Sequence, residues 1–215
     1  MMIYYHDEHL AAAYKPYGVL SEYDDTKPNM PALLKAETGC DEIYPVHRLD
    51  RTTQGVMVYA KTKEAAKRLS SLIQSGGMAK TYLAVTEGVP AQPSGELRDL
   101  LYFDRRKNKS YVVKRERKGV KEAVLRYETL GTITHDGAML SLLKIVLLTG
   151  RTHQIRVQFA SRKMPLIGDR RYGSRIACDG IQLCSSELRF IHPFTEEEMC
   201  FSFTPTNEYF GLFTL

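Results

Sequence analysis

No apolar run in this 215-residue chain approaches 18 residues, and the start (Met1 to His9) lacks a charged-then-apolar leader pattern. A membrane span and secretion are therefore not expected, and the cytoplasm is the expected compartment. Cysteine is sparse. Cys40, Cys178, Cys184 and Cys200 form no Cys-x-x-Cys pair and have no histidine at zinc-finger spacing, so they read as free thiols and no metal site is expected. His47 and His153 lack acidic or thiol ligands at plausible spacing and read as hydrogen-bonding histidines. There is no Walker loop and no dinucleotide fingerprint. His47-Arg48-Leu49-Asp50 superficially resembles the kinase catalytic loop, but the downstream Asn, the Gly-rich loop and Asp-Phe-Gly are missing. Nothing repeats at a fixed period, and no linker or low-complexity stretch appears, so one domain over residues 1–215 is expected.

What is present is an ordinary core and a mild positive excess. Hydrophobic residues make up 43% and charged residues 26%, with a formal charge of +5. That balance suits a polyanionic partner without requiring one. The excess is concentrated. Between Arg105 and Lys121 lie nine basic residues, including Arg105, Arg106 and Lys107, against one acid, Glu116. A solvated loop is the plain reading of such a run. Tyr102, Phe103 and Tyr111 lie in or beside it, and aromatic faces among cations also suit unpaired bases and phosphates.

The organising stretch is Pro45-Val46-His47-Arg48-Leu49-Asp50-Arg51-Thr52-Thr53-Gln54-Gly55, followed by the apolar Val56-Met57-Val58-Tyr59-Ala60. The second part reads as a buried strand, β-branched and aromatic and uninterrupted by charge. Asp50 lies between two arginines at the strand's entrance, where positive charge favours the carboxylate. An ionised carboxylate is what a nucleophile or general base requires. A structural ion pair with Arg48 or Arg51 explains the same pattern, and the two readings stay open at this point.

Along the chain, residues 3–15 resemble a strand, a turn at Asp7-Glu8 and a second apolar segment ended by Lys15-Pro16-Tyr17-Gly18. A loop over 21–31 and a short helix over 32–37 follow. Thr62 is placed to cap a helix whose Ala65, Ala66, Leu69, Leu72 and Ile73 share a face, stopped by Gly76-Gly77. Residues 80–86 read as a strand with Lys80, Tyr82 and Ala84 on one face. Residues 90–100 read as a Pro/Gly-bearing connection. Segments 123–130 and 139–148 read as strands, with turn signals at Gly131 and His135-Asp136-Gly137. The stretch Thr149 to Ala160 is ambiguous: Ile155, Val157 and Phe159 alternate as in a strand, whereas Thr-Gly-x-Thr suggests a capped helix. Successive hairpins with two or three helices give an α+β fold with a mixed, largely antiparallel sheet.

The segment His47-Arg48-Leu49-Asp50-Arg51-Thr52-Thr53-Gln54-Gly55 resembles the His-Arg-Leu-Asp-x-x-Thr-Ser-Gly signature of the RluA family of RNA pseudouridine synthases. Further segments similar to that family follow in order: Lys15-Pro16-Tyr17-Gly18, Lys80-x-Tyr82-x-Ala84, Gly150-Arg151-Thr152-His153-Gln154-Ile155-Arg156, Ile167-Gly168-Asp169-x-x-Tyr172-Gly173 and Leu188-x-Phe190-x-His192-Pro193.

The resemblance implies uridine isomerisation in ribosomal or transfer RNA, with no metal or organic cofactor. It implies that Asp50 is the catalytic carboxylate, acting at the ribose as nucleophile or base. Tyr82 would lie against the base, and Arg156 would keep Asp50 ionised and aimed. Arg48 would fill the gap left by a flipped nucleotide. Arg51, Lys80, Arg151 and His153, in or beside these motifs, would contact RNA. The resemblance also implies a helix from near Thr152. The sequence departs from the family at Gln54, Gln158, Glu22 and Ser161–Pro165, and the small N-terminal RNA-binding domain of many relatives is not expected here. Anchoring would then fall to the 105–121 segment of a monomer. A non-catalytic RNA-binding protein on the same fold is the main alternative. A hydrolase using Asp50 with His47 or His153 lacks a second carboxylate.

Overall fold

The computed structural model describes residues 2–213, so residues 1, 214 and 215 of the expected 1–215 domain lie outside it. The chain forms two compact units, one from residues 1–80 and 184–204, the other from 81–183 and 205–215.

In the first unit, β1 (Ile3–His6) and β2 (Leu10–Lys15) form the expected hairpin. Asp7 builds its turn, its Oδ1 accepting the amides of His9 and Leu10 at 2.7 Å each. Helix α1 (Met30–Thr38) begins two residues before the expected one, because the Asn29 side chain caps it through the Ala32 amide. After the short β3 (Tyr44–Pro45) comes β4 (Gln54–Ala60), buried on both faces between β2, which it pairs antiparallel, and a later strand, β10 (Leu183–Ile191), which it pairs in parallel. That burial explains its unbroken apolar run. Helix α2 (Lys63–Gln74) is capped by Thr62 as expected. Its Ala65 and Leu69 enter a core with Leu10, Val56, Val58, Leu188 and Phe190. A fully buried leucine of this kind is worth roughly 1.5–3 kcal/mol. The last strand, β11 (Glu198–Ser202), returns antiparallel to β10.

Strand β5 (Met78–Glu87) carries the chain into the second unit. There, β6 (Ser94–Asp104), β7 (Lys109–Val113), β8 (Val120–His135) and β9 (Ala138–Leu147) make an antiparallel meander whose last strand pairs with β5. The strand β6 replaces the connection expected over 90–100. Its buried residues, Leu97 and Leu101, are four apart among charged ones, so alternation is invisible in the sequence, and its order comes from pairing with β8. The plain loop reading of 105–121 is also corrected. Residues 109–113 are a strand that holds Lys109 and separates the cations of the β6–β7 turn from those of the following loop and the start of β8.

Gly131 makes no turn; it sits at a register shift within β8. The β8–β9 reversal is the two-residue Asp136-Gly137, both at positive φ (48° and 76°), the geometry that matches strand twist. The ambiguous stretch is a helix, α3 (Gln154–Ala160), but no side chain caps it. His153 occupies the cap position with φ 56°. The Thr149 hydroxyl, one of the threonines in the expected cap signal, instead binds the β8 amide of Val124 and the Gln154 side chain. A 3-10 turn, Arg170–Tyr172, follows.

Candidate active site

In the first unit, Asp50 lies half-buried in the loop between β3 and β4. The loop is fastened mainly by side chains reaching backbone. Ser21 Oγ donates to Leu49 O (2.8 Å) and accepts from the Leu49 amide (3.0 Å). The Gly18 amide donates to Arg51 O at 2.9 Å, and Arg51 Nε donates to Gly18 O at 3.0 Å. The Thr53 amide closes a turn on Asp50 O at 2.9 Å. Just beyond, Gly55 has φ 124°, and a Cβ there would drive into the backbone of Ser185, its partner on β10. Only glycine lets the two backbones approach so closely.

A buried lysine beside this loop and a partly exposed histidine within it help to hold it. The Lys15 side chain is fully enclosed and donates to Thr53 O (2.6 Å) and Pro16 O (3.0 Å). Burial pulls its pKa down to about 8, partly countered by the negative charge of Asp50. His47 Nε2 accepts from the Val58 amide at 3.1 Å. Enclosure of its ring and the Lys80 ammonium push its pKa down to about 3, although the residue keeps some exposed surface. At neutral pH it is an uncharged acceptor, in line with the hydrogen-bonding role expected for it. Arg48 points outward and pairs with Glu22 at 3.4 Å. Lys80 is half-buried, and its pKa is lowered by desolvation.

In the second unit, Tyr82 is buried on β5 opposite Ile145. Arg156, on α3, is also buried and grips Asp169 with two bonds, Nε to Oδ2 at 2.6 Å and one Nη to Oδ1 at 3.0 Å. Its guanidinium lies 5.1 Å from the Tyr172 ring centre. His153 is buried with Nδ1 3.0 Å from the Tyr172 hydroxyl. Arg151 Nε is committed to Glu122 O at 2.8 Å. Arg105, Arg106 and Lys107 occupy the β6–β7 turn and are exposed, their loop shaped by Asp104 Oδ1, which accepts the amides of Arg106 and Lys107.

Thus Arg48, Asp50 and Arg51 share one loop, while Arg151, His153 and Arg156 gather around the start of α3. Three residues of these clusters were not singled out from sequence: Lys15, Asp169 and Tyr172. All three stand inside segments that carried the family resemblance, but residue type alone gives no sign that a lysine is buried or which arginine an aspartate will meet.

Comparison with known proteins supplies the class of activity. A family model for RNA pseudouridylate synthases matches residues 9–161. The chain is 29% identical to tRNA pseudouridine synthase C of Vibrio vulnificus, covering 92% of this chain and 87% of that one. It is 31% identical to the dual-specificity RNA pseudouridine synthase RluA of Vibrio cholerae, covering 89% and 77%. Human RNA pseudouridylate synthase domain containing 4 has the same fold, with a TM-score of 0.75 at 23% identity over 94% of this chain and 87% of that one. The class is that of enzymes isomerising uridine within RNA. The chain belongs to the RNA pseudouridylate synthase family, in its RluA branch.

Proposed function

We propose that Asp50 is the carboxylate that acts on the ribose of a target uridine in structured RNA, transfer or ribosomal. Tyr82 serves against the base, and Arg156 keeps the carboxylate ionised and aimed. The uracil leaves C1′, turns and rejoins through C5 while held by the protein; C5 then gives up its proton with the help of Tyr82, and N1 takes one up. The observation that carries this reading is the family match, whose range includes all three residues. A half-buried Asp50 in a fastened loop supports it, because a reacting carboxylate must be both reachable and fixed. Arg48 is exposed, as a side chain that enters the RNA helix beside a flipped nucleotide must be.

Arg51, Lys80, Arg151 and His153 contribute to RNA contact, and Arg105, Arg106 and Lys107 supply phosphate anchoring. The names of relatives that act on tRNA make tRNA the first substrate to try. The protein works as a cytoplasmic monomer and a single catalytic domain, without metal or cofactor. Incubation with total RNA from cells lacking the gene, followed by mapping of pseudouridine, tests the reading. Wild type installs new pseudouridines at discrete positions, whereas Asp50→Asn binds the same RNA and installs none. Equal yields from the two proteins would overturn the assignment.

A further inference from the structure

The arginine turn Arg170–Tyr172 faces the basic hairpin rather than solvent alone. Arg171 Nη1 donates to Lys107 O and Asn108 O, both at 3.0 Å, holding the tip of the β6–β7 turn. Its neighbour Tyr172 holds the near end of β7: the Ser110 amide donates to its hydroxyl at 2.8 Å. Ser110 Oγ also donates to Thr152 O at 2.6 Å, just ahead of α3. The Tyr172 hydroxyl lies 3.0 Å from His153 Nδ1, and its ring lies under the Arg156 guanidinium. Lys109 Nζ is 5.2 Å from that ring. The Tyr172 amide donates to Asp169 O at 3.0 Å. One tyrosine therefore touches the strand that follows the cationic turn, the residue before α3, and both members of the buried Arg156–Asp169 pair.

A two-stranded ribbon has little stability of its own, so its orientation is set by what it is tied to. We infer that Tyr172, helped by Arg171, is a positioning residue that clasps the basic hairpin to the Arg156–Asp169 pair, so that RNA gripped by Arg105, Arg106 and Lys107 is delivered in register with Arg156. This rests on the RNA reading above.

The test is a double-mutant cycle on binding of unfractionated tRNA and of ribosomal RNA fragments between 50 and 200 mM salt. It compares wild type, Tyr172→Phe, the Arg105→Ala/Arg106→Ala/Lys107→Ala triple variant, and the combination. Tyr172→Phe keeps the ring but loses the hydroxyl. It is expected to weaken binding about threefold to tenfold, the worth of one hydrogen bond, and to flatten the salt slope. In the triple background the same change is expected to move Kd less than about twofold, because the cations it positions are gone. The Ser110 amide should exchange faster with solvent in Tyr172→Phe, a signature that general destabilisation would not confine to one site. Arg171→Lys, exposed and charge-conserving, should reproduce the coupling on a smaller scale and covers the case that Tyr172→Phe folds poorly. Equal effects of the tyrosine change in both backgrounds would sink the clasp and leave the RNA reading standing. Wild type that leaves both RNAs unbound would sink the RNA reading, and this inference with it.

Discussion

The Asp50 loop and the Arg156 helix are fixed by different means. Around Asp50, side chains reach backbone carbonyls: Lys15 to Thr53 and Pro16, Ser21 to Leu49, Arg51 to Gly18. Around Arg156, a full charge is answered by a full charge, Asp169, with both groups almost wholly out of water. Hydrogen bonds to neutral carbonyls hold the loop's shape, and the Lys15 charge also acts on Asp50. A buried ion pair adds orientation but is costly to leave half-made. The first arrangement suits the reacting carboxylate proposed above, and the second suits a cation held in one orientation.

The severest challenge to the first arrangement is Gly55→Ala. The added methyl meets the Ser185 backbone, which no rotamer change can relieve, at a φ that penalises any L side chain. We expect a loss above about 4 kcal/mol, read as a collapsed urea midpoint or insoluble protein. A midpoint near wild type would mean that the parallel β4–β10 contact is loose, and the loop before it with it.

For the second arrangement the matching change is Asp169→Ala. It deprives Arg156 of a bidentate partner in a site 5% and 1% exposed for the two side chains, and should cost about 3–5 kcal/mol by chemical denaturation. A cost below about 1 kcal/mol would show that the pair is replaceable and that the contrast between the two regions is overdrawn.

The contrast also marks what the sequence could and could not convey. Strand β4 was legible because burial on both faces writes an unbroken apolar run, and the Thr62 cap and the Asp136-Gly137 reversal were legible because each is a local arrangement. β6 was not legible, since its order comes from pairing with β8 some thirty residues on, an arrangement that leaves no period in its own residues. The α3 start misled for a related reason. Thr149 looks like a cap, yet it satisfies Val124, and that competition exists only once β8 is in place. Asp50 and Arg156 stood out because each lies in a dense polar motif. Lys15 gave no sign of its burial beside the punctuating Pro16 and Gly18, because a lysine's burial is decided by the strands that close over it.

Lys15 sharpens the comparison through pH. Its folded pKa, about 8, lies below its ordinary 10.5, so between those values the unfolded chain holds a proton that the folded protein has released. Stability contributed by this group therefore rises with pH from about 8 to about 10.5 and is flat below. The stability difference between wild type and Lys15→Met should shift in favour of wild type by up to about 3 kcal/mol across that window, a comparison in which the tyrosines cancel. In an Asp50→Asn background the midpoint should fall further, because the carboxylate's charge is what supports the ammonium. A difference that does not change with pH would remove the buried lysine from the account of the Asp50 loop.

The smallest effect is expected at an exposed charge pair of the Asp50 loop. Arg48 and Glu22 are 3.4 Å apart, with side chains 62% and 59% exposed, so water screens most of their attraction and two long side chains must be ordered to make it. Glu22→Ala should leave the denaturation midpoint within about 0.5 kcal/mol of wild type. The same change frees a guanidinium that, on the reading above, has RNA as its other partner. RNA binding should then tighten slightly, more at 50 mM salt than at 200 mM, because a competing carboxylate has gone. A stability loss approaching that of Asp169→Ala would mean that the exposed pair braces the Asp50 loop after all, and that the two regions are fixed by the same device.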